Sequence, residues 1–561
     1  MVVVKASALF LGLASLILPV SGQAVNDVAD AFDLAQVSLT DSRWMDNQNR
    51  TLNYLLSIDP DRLLYVFRKN HGLDTKGAQT NGGWDAPDFP FRSHVQGHFL
   101  SAWTQCYASA GVKECGSRAT YFVQELAKCQ ANNEKAGFNK GYLSGFSEND
   151  ISKVEDRTLS NGNVPYYAIH KTLAGLLDVY RRMGDQTAKD TMLSLASWVD
   201  TRTSKLSYNQ MQSMLQTEFG GMNEVLADIA FYTKDAKWLK VAQRFDHAVI
   251  FDPCNRTSTN SPVFTPTLNF PSRLVLFSST KHTYAISGNS QAEHFRAPDA
   301  IAGFLTDDTC EACNSYNMLK LTRELWALNP TDASYFDFYE KVLLNHLLGQ
   351  QNPSSDHGHV TYFTPLKADG RRGVGPAWGG GVETNTKLMD SIYFHSSDTL
   401  YVNLFTPSKL NWSQKKVSVT QTTDFPESDT STFKISASIK VNGQAANVAI
   451  QSSKYALIKR QWKSGDTVTV QLPMSLHTVA ANDGQTLGAI AFGPVILVGN
   501  YGESTLNGNS TIYLASIKRK SNTGLTFGAT SGGKAIELGP FYDAQGFNYA
   551  VYWKLSGKLS G

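Results

Sequence analysis

The chain has 561 residues, enough for three to four average domains or for one large domain with a smaller companion. Lysine and arginine number 51 against 49 aspartate and glutamate, and only 18% of residues are charged, so no charge excess exists to hold a polyanion and nucleic acid is not an expected partner. A hydrophobic share of 42% with 11% aromatic residues excludes a disordered chain and a multispanning membrane protein, leaving an aromatic-rich globular one.

At the N-terminus, Lys5 precedes the apolar run Ala6 to Leu18, then Pro19 and Val20-Ser21-Gly22. These are the three regions of a secretory signal peptide over residues 1–22, so a secreted chain beginning near Gln23 is expected, without a membrane segment after cleavage. The competing reading, a retained anchor, meets a run too short to span a bilayer comfortably. Sequons at Asn49, Asn255, Asn411 and Asn509 suit an extracellular chain, although such triplets also arise by chance. Six cysteines (Cys106, Cys115, Cys129, Cys254, Cys310 and Cys313) allow three bridges in an oxidising compartment. The first three stand in helical sequence and equally fit small buried hydrophobes.

From about Asp27 to Gly349 the apolar residues follow mostly helical spacing. Tyr166, Ile169, Leu173, Leu176, Leu177 and Tyr180 share one face, with Pro165 placed to start the helix and Gly184 to end it. Gly220 to Ala248 reads as two helices broken at Thr233-Lys234-Asp235. Met318, Leu321, Leu325 and Leu328 predict a helix opening at Asn314, followed after Asn329-Pro330 by Tyr335, Tyr339 and Val342. Helical pairs in succession without strands between them are what an α/α toroid needs, and residues 23–399 are assigned to it. Cys254 to Thr280 has neither period and reads as an unusually long surface loop. After Leu400 the period becomes two: Tyr401 to Phe405, Phe433 to Val441, Val468 to Leu472 and Leu487 to Val498 are predicted strands, and residues 400–561 a β-sandwich.

Reactive side chains concentrate in Gln291-Ala292-Glu293-His294-Phe295 and Cys310-Glu311-Ala312-Cys313. Glu311 and Cys313 could bring a carboxylate and a thiolate to one ion, a mixture that zinc accepts. The competing reading is a Cys310–Cys313 disulfide or a pair of buried thiols. Glu293 fits a proton donor if partly desolvated and otherwise a surface or capping carboxylate. His94 and His98 lie one helical turn apart. Val95 occupies the place where a zinc protease needs glutamate, so contact with a sugar is the better functional reading for His98, beside a purely structural one. His170 invites the same pair of readings. No serine nucleophile elbow, phosphate loop or dinucleotide fingerprint occurs.

Tyr166 to Tyr180 (YYAIHKTLAGLLDVY), Gly220 to Asp228 (GGMNEVLAD), Tyr284 to Phe295 (YAISGNSQAEHF), Cys310 to Leu321 (CEACNSYNMLKL) and Asp390 to Phe405 (DSIYFHSSDTLYVNLF) closely resemble glycoside hydrolase family 127, the β-L-arabinofuranosidase-like proteins. The resemblance runs from about Asp27 to about Val498. It implies an (α/α)6 barrel followed by a C-terminal β-sandwich, and a retaining hydrolase acting on terminal arabinofuranose of glycans. It casts Glu293 as the acid/base and Glu311 and Cys313 as two zinc ligands. Family members supply the nucleophile and a further ligand from adjacent cysteines shortly before the segment matching Val382-Glu383-Thr384-Asn385. Here Gly375 to Gly381 runs straight into Val382 and no cysteine follows Cys313. The expected nucleophile is therefore absent and the zinc set incomplete, so zinc should bind weakly and thiolate catalysis should fail. Two other readings follow. One is a carboxylate pair, with Glu293 as acid and Glu383 or Glu311 as its partner. The other is a noncatalytic glycan-binding or structural protein, using aromatics such as Trp84, Tyr166 and Trp378.

Overall fold

A computed structural model describes residues 2–5, 28–217, 220–248, 281–373, 375, 380–428, 439–445, 454–472, 474–521 and 523–559. The apolar leader run, the Cys254 to Thr280 interval, Phe433 to Ser438 and Pro376 to Gly379 fall outside these residues. The chain forms two compact units. One comprises Met1–Arg50, Thr267–Ala377 and Leu388–Gly561; the other comprises Thr51–Pro266 and Trp378–Lys387.

The second unit is helical. Pro165–Met183 forms as its spacing predicts: Pro165 needs no backbone partner in the first turn, and Gly184 ends the helix at φ 69°. Against it lies Val95–Ala110, buried continuously from Val95 to Cys106. The two backbones touch at small residues. A Cβ added to Gly97 would stand 2.0 Å from the Lys171 carbonyl oxygen, and one on Gly175 would stand 2.8 Å from the Gly97 carbonyl oxygen. Lys113–Ala131 follows Val95–Ala110 after a left-handed Gly111, and a Cys106–Cys115 disulfide ties the two helices together. Two of the three cysteines read as possible small hydrophobes are thus bonded, while Cys129 is a buried thiol. Met222–Thr233 and Lys237–Ala242 are the expected pair, separated by left-handed Lys234.

In the first unit, Ala312–Leu328 opens two residues before the predicted Asn314, because extended Glu311 already serves as its N-cap residue. Ser334–Val342 continues into a π-helical turn, Leu343–Leu347. The largest sheet runs in the order Leu476–Ala481, Gly484–Phe492, Trp553–Ser556, Thr511–Tyr513, Phe527–Ser531, Lys534–Pro540, Val495–Asn500, Tyr549–Ala550. Its path returns on itself, since Ile490 to Phe492 also pair with Val495 to Leu497. The single strand predicted over Leu487 to Val498 is therefore a hairpin. Left-handed Gly493 turns the chain, and Pro494 has no N–H to continue a ladder. Leu400–Val402 pairs with Tyr393–His395 and with Val2–Lys5. The core of the large sheet gathers Ile496, Val498, Phe541 and Tyr549 with Ile286 and Leu366 from the loops before it.

Buried His71 in the helical unit is paired at both ring nitrogens. His71 has its Nδ1 2.8 Å from Asn133 Oδ1, while Nε2 accepts the Ser144 N–H at 3.3 Å. Burial pushes its pKa down to about 4, so the ring is neutral in the folded chain at neutral pH. An unfolded histidine titrates near 6.5, so between these values the unfolded chain binds the extra proton and stability falls as pH falls. His71 should account for up to about 3 kcal/mol of that loss. In urea titrations from pH 7.5 to pH 4, we expect the His71→Gln chain to be less stable at pH 7.5 and to show a slope shallower by about one proton. An unchanged slope would contradict this assignment.

Candidate active site

In the first unit a small three-stranded weave sets the reactive side chains. Cys310 N–H donates to the Ser290 carbonyl at 2.7 Å and Glu311 N–H to Ser290 Oγ at 3.0 Å. On the other side Thr364 N–H donates to the Thr309 carbonyl at 2.8 Å, and Ala312 N–H to that of Tyr362 at 2.9 Å. Glu293 stands at the tip of a two-residue hairpin turn in which Gln291 and His294 exchange backbone hydrogen bonds of 3.0 and 3.1 Å. Ala292 and Glu293 both have positive φ, 47° and 63°, the backbone of a type I′ turn that normally selects Asn-Gly. Holding two side-chain-bearing residues there costs about 1–2 kcal/mol each. Gln291 anchors the turn: its amide donates to Asp308 at 2.8 Å and its carbonyl oxygen accepts from Arg296 Nε at 2.7 Å.

Glu293 and Glu311 are brought together by Tyr362. Its hydroxyl lies 3.0 Å from Glu293 Oε1 and 2.8 Å from Glu311 Oε1. Burial first, and then the negative charges of Cys313, Glu311 and Glu293, push the phenol pKa far above its ordinary value, so the hydroxyl keeps its proton. One phenolic proton can serve only one carboxylate at a time; the other contact is a hydrogen bond when that carboxyl carries a proton of its own. Sequence reading missed Tyr362, because a tyrosine in Thr361-Tyr362-Phe363 belongs to no motif that marks it.

Cys313 occupies the first turn of Ala312–Leu328, half-buried, at a helix end that favours negative charge. Cys310 is fully buried and left-handed at φ 54°, and its thiol is pushed well up by burial. Its sulfur packs on Gly288, where an added Cβ would stand 2.6 Å away. The Cys310–Cys313 disulfide is thus not formed; Cys310 faces the packed glycine while Cys313 stands on the helix. As for zinc, no group of three or more His, Cys, Asp or Glu side chains suited to a metal occurs among the described residues. Zinc centres draw on three or four protein ligands, so Glu311 and Cys313 alone do not complete one, and no chemical step is routed through a metal here.

In the helical unit, the Gly97 contact sets His98 and His170 on adjoining helices, each next to the residue at the crossing. Their rings join an aromatic series. His94 lies 6.5 Å from His98 and 5.7 Å from Tyr167, which in turn lies 5.4 Å from His170. His98 Nδ1 is 2.5 Å from Glu383 Oε1, and Gln105 Nε2 donates to the other carboxylate oxygen at 3.3 Å. Glu383 is thus committed to a buried histidine. Left-handed Gly221 leaves no room for a side chain, since its Cβ would meet His170 Nε2 at 2.2 Å. Tyr166, read as a sugar-stacking aromatic, is instead buried core, donating to Glu155 at 2.7 Å.

The family follows from comparison: the domain described as "Beta-L-arabinofuranosidase, GH127 catalytic domain" matches residues 36–275 and 276–383. The corresponding GH127 middle domain matches 399–439 and 434–474. The chain belongs to glycoside hydrolase family 127. Among solved structures, a GH127 β-arabinofuranosidase superposes with a TM-score of 0.70 at 16% identity, covering 95% of this chain and 99% of that one. A GH127 β-L-arabinofuranosidase from Geobacillus stearothermophilus T6 gives 0.67 at 15%, covering 93% and 100%. A protein described as a glycoside hydrolase gives 0.65 at 13%, covering 94% and 98%. These likenesses establish the fold class, an (α/α)6 barrel with a C-terminal β domain. No curated protein matches the chain.

Two substitutions test this geometry through stability, with opposite signs. Gly97→Ala gains about 1 kcal/mol in helix propensity but drives a methyl into the Lys171 carbonyl, and overpacking costs about 1–3 kcal/mol. We expect a net loss in urea unfolding. Ala292→Gly relieves one left-handed side-chain-bearing residue and should gain about 1 kcal/mol. A loss there would show that the turn is not left-handed in solution.

Proposed function

We propose that this chain is a secreted protein of the β-L-arabinofuranosidase type that acts on terminal arabinofuranose of glycans, with Glu293 as the group that gives its proton to the departing oxygen. The observation that carries the reading is Tyr362 holding Glu293 beside Glu311 in a chain of family 127. His98, oriented by Glu383, and His170, wedged against Gly221, are assigned sugar contacts by the same reading. Secretion is supported by the Cys106–Cys115 disulfide and by the exposed sequon residues Asn49 and Asn411. Zinc, on a donor set of Glu311 and Cys313, is expected to bind weakly.

The sequence offers no cysteine after Cys313 to act as nucleophile, and one distance favours a carboxylate in that role. Both carboxyl groups touch the same phenol oxygen, which keeps their nearer oxygens within about 6 Å of each other, a bound that admits the separation of about 5–5.5 Å used by retaining carboxylate pairs. In this second reading Glu293 protonates the glycosidic oxygen as its bond to the anomeric carbon breaks, while a Glu311 oxygen bonds that carbon. Water, giving a proton back to Glu293, then displaces Glu311 and frees the sugar.

Incubation with β-L-arabinofuranosides, with and without added zinc, tests both. If the carboxylate pair operates, Glu293→Gln and Glu311→Gln each lower turnover by about 100-fold or more, and Cys313→Ser does not. If thiolate chemistry is required, turnover appears only in a chain given back the adjacent-cysteine segment before Val382, and Cys313→Ser abolishes it. Arabinofuranose binding by calorimetry without turnover in either chain identifies a glycan-binding protein. Absence of both binding and turnover in either chain rejects the proposal.

A further inference from the structure

We propose that Phe295, with His294, forms the platform on which the leaving-group saccharide rests, an acceptor subsite next to the acid. The inference rests on the assignment of Glu293 as proton donor. A general acid must reach the oxygen that joins the two sugars. The sugar being transferred therefore lies toward the partner group, and the departing one lies on the acid's far side. Here the two sides differ in exposure: Glu311 and Cys313 are half-buried, whereas Glu293, His294 and Phe295 all face solvent. The open side is where the leaving group has room.

Phe295 is 46% exposed, and it is the large exposed hydrophobic residue two positions from the proton donor. An apolar ring kept in water gains nothing for folding. Its position is fixed by the same features that fix Glu293. The hairpin turn closes at His294, Arg296 locks onto Gln291 at 2.7 Å, and the Phe295 ring meets the His282 ring edge-on at 5.7 Å and 89°. In such a perpendicular pair one ring's edge meets the other's face, so the contact holds the orientation of Phe295 and occupies at most one of its two faces. A π-face suits the apolar C–H face of a furanose or pyranose, and the adjacent His294 imidazole, which makes no hydrogen bond among the described residues, suits its hydroxyls. Saccharide, as opposed to a small aglycone, is the ligand with both features.

The test uses the intact chain and calorimetry with two ligands: a methyl β-L-arabinofuranoside, and a sulfur-linked arabinofuranosyl disaccharide that resists hydrolysis. We expect the disaccharide to bind about 10-fold more tightly, equivalent to about 1.4 kcal/mol. Phe295→Ala and Phe295→Leu should each remove that advantage, Phe295→Trp should keep it, and all three should bind the methyl glycoside within about twofold of the parent. Unfolding midpoints, expected to be unchanged for a surface residue, separate loss of the platform from loss of fold. A disaccharide advantage that is absent in the parent chain, or that survives in Phe295→Ala, overturns the platform while leaving the sugar site intact. No binding of either ligand to any variant rejects the underlying functional reading along with it.

Discussion

A single phenolic oxygen, that of Tyr362, stands between two carboxyl groups, and the arrangement of the first unit's reactive residues follows from keeping it there. Tyr362 lies on an extended segment, and its carbonyl accepts the Ala312 N–H at the N-terminus of Ala312–Leu328. That helix carries Cys313, with Glu311 immediately before it, and the opposite edge of the weave carries the turn with Glu293. Because three backbone segments are hydrogen-bonded in register, a shift in any one of them moves an oxygen at the phenol. Burial pushes the Tyr362 pKa far above its ordinary value, so the phenol itself keeps its proton across ordinary pH.

The helical unit solves a different problem, that of bringing imidazoles together without a cavity between helices. Glycine at 97 and at 175 lets two backbones meet, and the residues next to the crossing are then displayed side by side. Each glycine gives up about 1 kcal/mol of helix propensity relative to alanine, and both helices are largely buried. His94, burdened by burial and then by the charge of its neighbour His98, has its pKa pushed down to about 3 and stays neutral. The Glu383 carboxylate, 2.5 Å from His98 Nδ1, is the acidic partner of that imidazole.

Helix types and their ends were legible from periodicity and punctuation. Pro165, Gly184 and Thr233-Lys234-Asp235 mark boundaries in the sequence because proline and left-handed residues act locally. Glu293, Glu311 and Cys313 were legible as chemistry, but their meeting point was not, since a hydrogen bond from Tyr362 crosses 51 residues to Glu311 and 69 to Glu293. Glu383 reads in the sequence as a carboxylate that could partner Glu293, as Glu311 could. Its hydrogen-bond partner His98 lies 285 residues earlier, and no local pattern reports such a contact. The hairpin at Gly493-Pro494 was readable in principle: two turn-forming residues interrupt the alternation, yet the apolar flanks on both sides masked the break.

The crowding at Gly221 has an implication for how this scaffold tolerates change. Even the smallest side chain there would occupy the space of an imidazole nitrogen, in a backbone conformation that penalises side chains anyway. Random mutagenesis across the barrel should therefore return this codon unaltered, whatever activity is selected. A designer wishing to make room at this contact would have to begin at the histidine, and leave the glycine alone.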